Sequence, residues 1–198
     1  MAKRIPPYDI IYEGPLEMHF HSAIIKHFSS LYGLKFLRCL KPSPQREVWL
    51  GFDQGWVYST TPTPKSFQDI QTAVETNSPT VSKLYIGYFM QFKVVRKMQG
   101  KSDYKPNGFP SSYFRAEVDL KPNKTTGLSQ HETLMRLCNV AKASVCYACG
   151  MLFDLADLYV PPDLRKLRAV PASSAPTGWS AGERHFIAFR NSTDPKLQ

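Results

Sequence analysis

Asp53, Gln91 and Lys93 are the residues whose types and spacing suit work on a phosphodiester. Asp53 lies in a run, 48–58, in which Val48, Leu50, Phe52 and Trp56 alternate as on one face of a strand. Side chains repeat every second residue on a strand, so Asp53 points the other way, beside Gly51 and Gly55. That side is expected to be open enough for a cation and a phosphate. Gln91 and Lys93 belong to the most strand-like run of the chain, 84–95, and share the face opposite Met90, Phe92 and Val94. A carboxylate and an amide oxygen are the hard ligands that Mg²⁺ or Mn²⁺ takes, and an ammonium two residues away can face the attacking water or the phosphate. Glu47, on the same face as Asp53, is a further candidate ligand. An unpaired ammonium is costly to bury, so Lys93 calls for an anionic partner, and Asp53 is the expected one. The chemistry these residues suggest is hydrolysis of a phosphodiester, and the competing reading is a buried Lys93–Asp53 ion pair that only shapes the core.

The elements that must position them follow from periodicity. Pro15 opens a helix to about Leu31, with Leu16, Phe20, Ile24 and Phe28 at helical spacing, and Gly33 ends it. After the expected strand at 48–58, residues 60–80 read as an inserted loop and helix, with Phe67, Ile70 and Val74 on one face. The strand at 84–95 is apolar on both faces and is expected to be central. A loop at 96–112 leads to a half-exposed strand, 113–120, expected at a sheet edge. Ser129 and Glu132 fit a capping box that opens the next helix. A short buried strand at 145–149, a helix at 152–158, a flexible loop at 171–182 and a closing strand at 185–190 complete the order. The expectation is one α/β domain over residues 1–198, with a mixed central sheet flanked by helices in two or three layers.

Gly51-Phe52-Asp53 followed by Gln91-Phe92-Lys93 resembles the active-site signature of the PD-(D/E)XK, restriction-endonuclease-like nuclease superfamily. The chain as a whole is also similar to uncharacterised bacterial proteins that carry Gly-Phe/Tyr-Asp and Gln-Phe-Lys motifs. The resemblance implies a restriction-endonuclease-like fold, Mg²⁺ or Mn²⁺ as cofactor, and a cytoplasmic nuclease in a bacterial antiphage defence system, where protein partners or self-association are expected. It further implies that Glu17 and Asp53 hold the ion, Gln91 adds an oxygen, and Lys93 orients water or neutralises the phosphate. Glu13 is the second choice for the position given to Glu17. A neutral Gln91 in place of an acid departs from the usual pattern and weakens the ligand set. The alternative is a catalytically inactive nucleic-acid-binding or scaffold subunit.

The charge balance agrees with a polyanionic partner. Twenty-five Lys and Arg against 16 Asp and Glu give +9, which attracts nucleic acid by counterion release. Arg96, Lys97, Lys101 and Lys105, interleaved with Tyr104, Phe109, Tyr113 and Phe114, are the expected backbone and base contacts. Gln130 and His131 stand at a helix start, where anions are favoured. With 42% hydrophobic and 21% charged residues, the chain can fill a core. The N-terminal residues lack the apolar stretch of a secretory signal, so a cytoplasmic protein with reduced thiols is expected. Cys146 and Cys149, with Cys138 or His131, are weaker zinc candidates than a buried strand with two cysteines. The residues 178–182 match Gly-x-Ser-x-Gly, but a loop precedes them and a strand follows, so the nucleophile-elbow reading is rejected.

Overall fold

The computed structural model describes residues 10–33, 37–58, 66–76, 86–99, 105–140, 143–175, 179, 184–191 and 195–197. In chain order these form α1 (Glu13–Tyr32), β1 (Leu37–Leu40), α2 (Pro44–Leu50), β2 (Gln54–Tyr58), α3 (Ser66–Thr76), β3 (Ile86–Gln99), β4 (Ser112–Asp119), α4 (Gln130–Val140), β5 (Ala143–Gly150), β6 (Leu167–Pro171), β7 (Arg184–Phe189) and β8 (Pro195–Leu197). The strands make one mixed sheet, eight-stranded among the described residues. Neighbours along β1-β2-β3-β4-β7-β8 are antiparallel, while β5 joins β3 in parallel and carries β6 on its far edge.

The long strand β3 separates two apolar layers because its side chains alternate. Phe89 and Val95 pack with Leu50 of α2, Ile70 and Val74 of α3, and Leu134 and Leu137 of α4. Met90 and Phe92 pack with Leu16, Phe20, Ile24 and Phe28 of α1. The result is an α/β sandwich with α1 on one face of the sheet and three helices on the other. Fully burying each of these large side chains contributes about 1.5–3 kcal/mol, so the two layers hold β3 firmly in place.

Four sequence expectations are corrected. Residues 44–50 form a helix where the run 48–58 reads as one strand. Pro44 at its first turn and Gly51 beyond its end outweigh the alternation of Val48, Leu50 and Phe52, because Gly51 adopts the left-handed conformation (φ 74°) that closes a helix at little steric cost. β3 continues to Gln99, through residues read as loop, because its second half pairs with β4 from Val95↔Ala116 to Gln99↔Ser112. β4 is not an edge, since it is bonded to β3 and to β7. Residues 171–175 are ordered as the end of β6 and a 3-10 turn, Ala172–Ser174, while most of the expected loop at 176–182 lies outside the described residues, Trp179 excepted.

At Gly55 a methyl group would stand 2.9 Å from two ring carbons of Phe89 and 3.1 Å from Phe52. Gly55→Ala is therefore expected to cost about 1–3 kcal/mol by overpacking, read as a lower urea midpoint. A midpoint equal to the parent's would show that the Phe89 ring moves aside freely.

Candidate active site

The site lies where β2 leaves β3. Pairing of the two strands ends at Gln54↔Met90, and one residue earlier the Asp53 N–H donates to the Met90 carbonyl at 2.9 Å. Beyond that point the Asp53 carboxylate takes the place of a strand partner: Oδ2 accepts the Phe92 N–H at 2.7 Å and Gln91 Nε2 at 2.9 Å. The turn at Gly51 brings Glu47 of α2 within hydrogen-bonding reach of the same carboxyl. Burial, and after it the Glu47 charge and a hydrogen bond shared with Glu47, push Asp53 up to about 8. Glu13 adds to the rise, and the Phe92 N–H opposes it. At neutral pH the Asp53–Glu47 pair thus keeps a proton.

Lys93 is buried on the same face of β3 as Gln91. Its ammonium donates to Glu13 Oε1 at 3.0 Å and to Gln130 Oε1 at 3.3 Å. Glu13 stands in the first turn of α1 and Gln130 begins α4, so elements from both layers meet at this amine. α4 is fixed there by the expected capping box, with the Ser129 N–H on Glu132 Oε2 at 2.6 Å and the Glu132 N–H on Ser129 Oγ at 3.1 Å. The Ser129 N–H above all, with the Ser129 side chain adding to it, holds the Glu132 carboxyl below its ordinary range.

Several expected residues take other places. Glu17 is not brought to Asp53: its carboxylate accepts from Lys41 at 2.6 Å and from Gln54 at 2.9 Å, and Gln54 in turn accepts from the Trp56 ring at 3.1 Å. A single helical turn separates Glu13 from Glu17, and the strand each faces could be known only after packing. Lys93 pairs with Glu13 rather than Asp53, whose own neighbour is Gln91. The space beside Gly51 and Gly55 is not open for a cation, because Thr133 fills the first and the Phe89 and Phe52 rings fill the second. Gln130 is held to Lys93, and His131 is buried with Nδ1 2.6 Å from the Tyr147 hydroxyl. Burial lowers the His131 pKa from its ordinary value. Tyr147, paired with Gln91 across β3 and β5, was not singled out by its sequence context.

Arg96 and Lys97 are exposed on β3, Lys105 is half-exposed, and Lys101 lies outside the described residues. Cys146 packs in the α1 layer and Cys149 in the opposite one, as their odd spacing on β5 requires, so the two thiols do not converge on one zinc ion. Burial also holds both thiols well above the usual range.

Whether this set suits a hard divalent cation can be judged from its donors. Gln91 Oε1 is buried with no hydrogen-bond partner among the described residues, while Nε2 of the same amide faces Asp53. Rotation of the amide would exchange the two atoms, and such a turn is unfavourable against a bare carboxylate but favourable with a cation between them. Among the described residues no three His, Cys, Asp or Glu side chains are grouped to hold a metal, so the fitting donors are Asp53, Glu47 and the Gln91 oxygen. Two crowded carboxyls that retain a proton, beside an unused amide oxygen, fit Mg²⁺ or Mn²⁺ with remaining positions for water or phosphate. The chain matches no protein family and no curated protein.

Proposed function

We propose that this chain is a divalent-metal-dependent nuclease of the restriction-endonuclease-like kind, acting on phosphodiester bonds of nucleic acid, with DNA as the expected substrate. One observation carries the reading: the Asp53 carboxyl is buried against Glu47 and raised to about 8, next to an unpartnered Gln91 oxygen. That is an excess of oxygen ligands that a cation relieves. When bound, such an ion supplies polarisation of a phosphate and acidification of water. Asp53 and Glu47 would hold it and the Gln91 amide oxygen would add a donor, while the Phe92 N–H fixes the Asp53 carboxyl. Lys93 would present a positive charge to a non-bridging phosphate oxygen, and its bond to Glu13 holds the amine in place.

A second reading, a nucleic-acid-binding or scaffold subunit without catalysis, draws on the fact that Lys93 is already satisfied by Glu13 and Gln130. The two readings separate in one set of measurements. The nuclease cuts plasmid or single-stranded DNA with Mg²⁺ or Mn²⁺ and not with a chelator. Because Asp53 must give up its proton to bind, Mn²⁺ affinity by calorimetry rises about tenfold per pH unit and levels off above about pH 8. Metal affinity indifferent to pH, with DNA left intact, decides for the second reading.

A further inference from the structure

Beside the Asp53–Lys93 cluster lies a cleft of about 450 Å³ lined by Pro44, Glu47, Val48, Asp119, Lys121, Lys124 and Gln130, among others. Two of these residues belong to the cluster itself, since Glu47 reaches Asp53 and Gln130 accepts from Lys93. The cleft thus borders the cluster on the α2 and α4 side, while a second cleft borders it at Glu13.

Its far wall is the turn at 121–128, which is stiffened by its own backbone. The Asn123 N–H donates to the Leu128 carbonyl at 2.9 Å, the Gly127 N–H to the Asn123 carbonyl at 2.8 Å, and the Thr125 N–H to Asn123 Oδ1 at 2.8 Å. The turn is tied to β4 where Asp119 Oδ1 accepts the Lys121 N–H at 2.8 Å. Lys121 and Lys124 stand exposed on it and form no ion pair among the described residues. The turn thus lines the cleft with two exposed lysines, and the acids Glu47 and Asp119 line it as well.

The basic segment favoured by sequence is placed differently. Arg96 faces a separate cleft with Glu13, Arg115 and Glu117, and Lys97 stands opposite Phe114. Neither Lys97 nor Lys105 lines the cleft formed by Glu47 and Gln130.

From this arrangement we infer that the cleft seats one phosphodiester strand of nucleic acid, with Lys121 and Lys124 on the phosphates flanking the bond presented to Asp53 and Lys93. The inference deepens the nuclease reading and rests on it for the bond that is cut, but the strand-binding role can be read without catalysis. A strand laid there would meet two lysines carried on a hydrogen-bonded turn and, next to them, the acids Glu47 and Asp119. Phosphate contacts of this kind set register and carry no base preference.

The test is fluorescence anisotropy with short labelled single-stranded and duplex DNA in a chelating buffer, across a salt series. Chelation stops cleavage, so the binding result does not depend on the nuclease being active. Lys121→Gln with Lys124→Gln should lower the slope of log affinity against log salt by about two, equally for unrelated sequences. The same charge loss at Lys97→Gln with Lys105→Gln should leave most of that slope intact. Equal losses in the two double variants, no loss in the first, or no salt-dependent binding by the native chain overturns the cleft assignment. If the slope falls as expected while metal-supplemented DNA stays uncut, the cleft stands and the catalytic reading fails.

Discussion

Asp53→Asn should abolish DNA cleavage and at the same time stabilise the metal-free protein near pH 8 and above. The two effects have one cause. In the folded chain the Asp53 carboxyl titrates near 8 instead of its ordinary 3.8, so between those values the folded state holds a proton that the unfolded state has lost. A raised acid of this kind stabilises fully below 3.8, and its contribution is lost as pH rises toward about 8, by up to about 1.4 kcal/mol per pH unit. Asparagine is the uncharged isostere: its oxygen can accept from Phe92 and Gln91 as Oδ2 does, and its amide can donate to Glu47. Melting temperature against pH should therefore be flatter in Asp53→Asn than in the parent, with the curves separating most at the alkaline end. Cleavage should fall about 10²–10³-fold, and the pH-dependent Mn²⁺ affinity should disappear. A variant that loses stability at every pH would mean that the Asp53 carboxylate serves the fold as an anion, and the metal reading would lose its main support.

The second large effect is expected at Lys93, where function and stability should part. Lys93→Met removes a buried ammonium and keeps most of the side-chain volume, while Glu13, about half exposed, regains water. Because the acid left behind is half exposed and not a buried unpaired charge, the loss should be small, so the variant should fold with a denaturation midpoint close to the parent's. Its cleavage rate should fall about 10²-fold or more with little change in DNA affinity, since the charge lost acts on the reacting phosphate. Removing the other partner should cost more stability. Glu13→Ala leaves Lys93 with Gln130 alone, and the loss should be about 1–3 kcal/mol after allowance for the exposure of Glu13. If Lys93→Met cuts DNA at the parental rate, the lysine is a structural brace and catalysis must be sought elsewhere.

Helix α1, the helix at α3, the central strand β3 and the capped start of α4 were all legible in periodicity and end signals. In each, the apolar spacing or the Ser129–Glu132 pair is a local property that packing reinforces. The pairing of Gln91 with Lys93 on one face of β3 was legible for the same reason, because alternation along a strand does not depend on what lies beside it. Even α2, misread as part of a strand, carried its own marks in Pro44 and Gly51.

What the chain determines by itself is thus the set of elements and the face on which each polar residue stands. Tertiary structure alone decided which acid meets which base. Glu13 and Glu17 are one helical turn apart and chemically alike, yet the way α1 lies across β2 and β3 gives Lys93 to the first and Lys41 with Gln54 to the second. Likewise the proposed preference for the turn at 121–128 over Arg96 and Lys97 of β3 comes from which cleft each of them lines. Such partnerships join residues distant along the chain, and side-chain charges act through space over a few ångströms, so no local pattern records them.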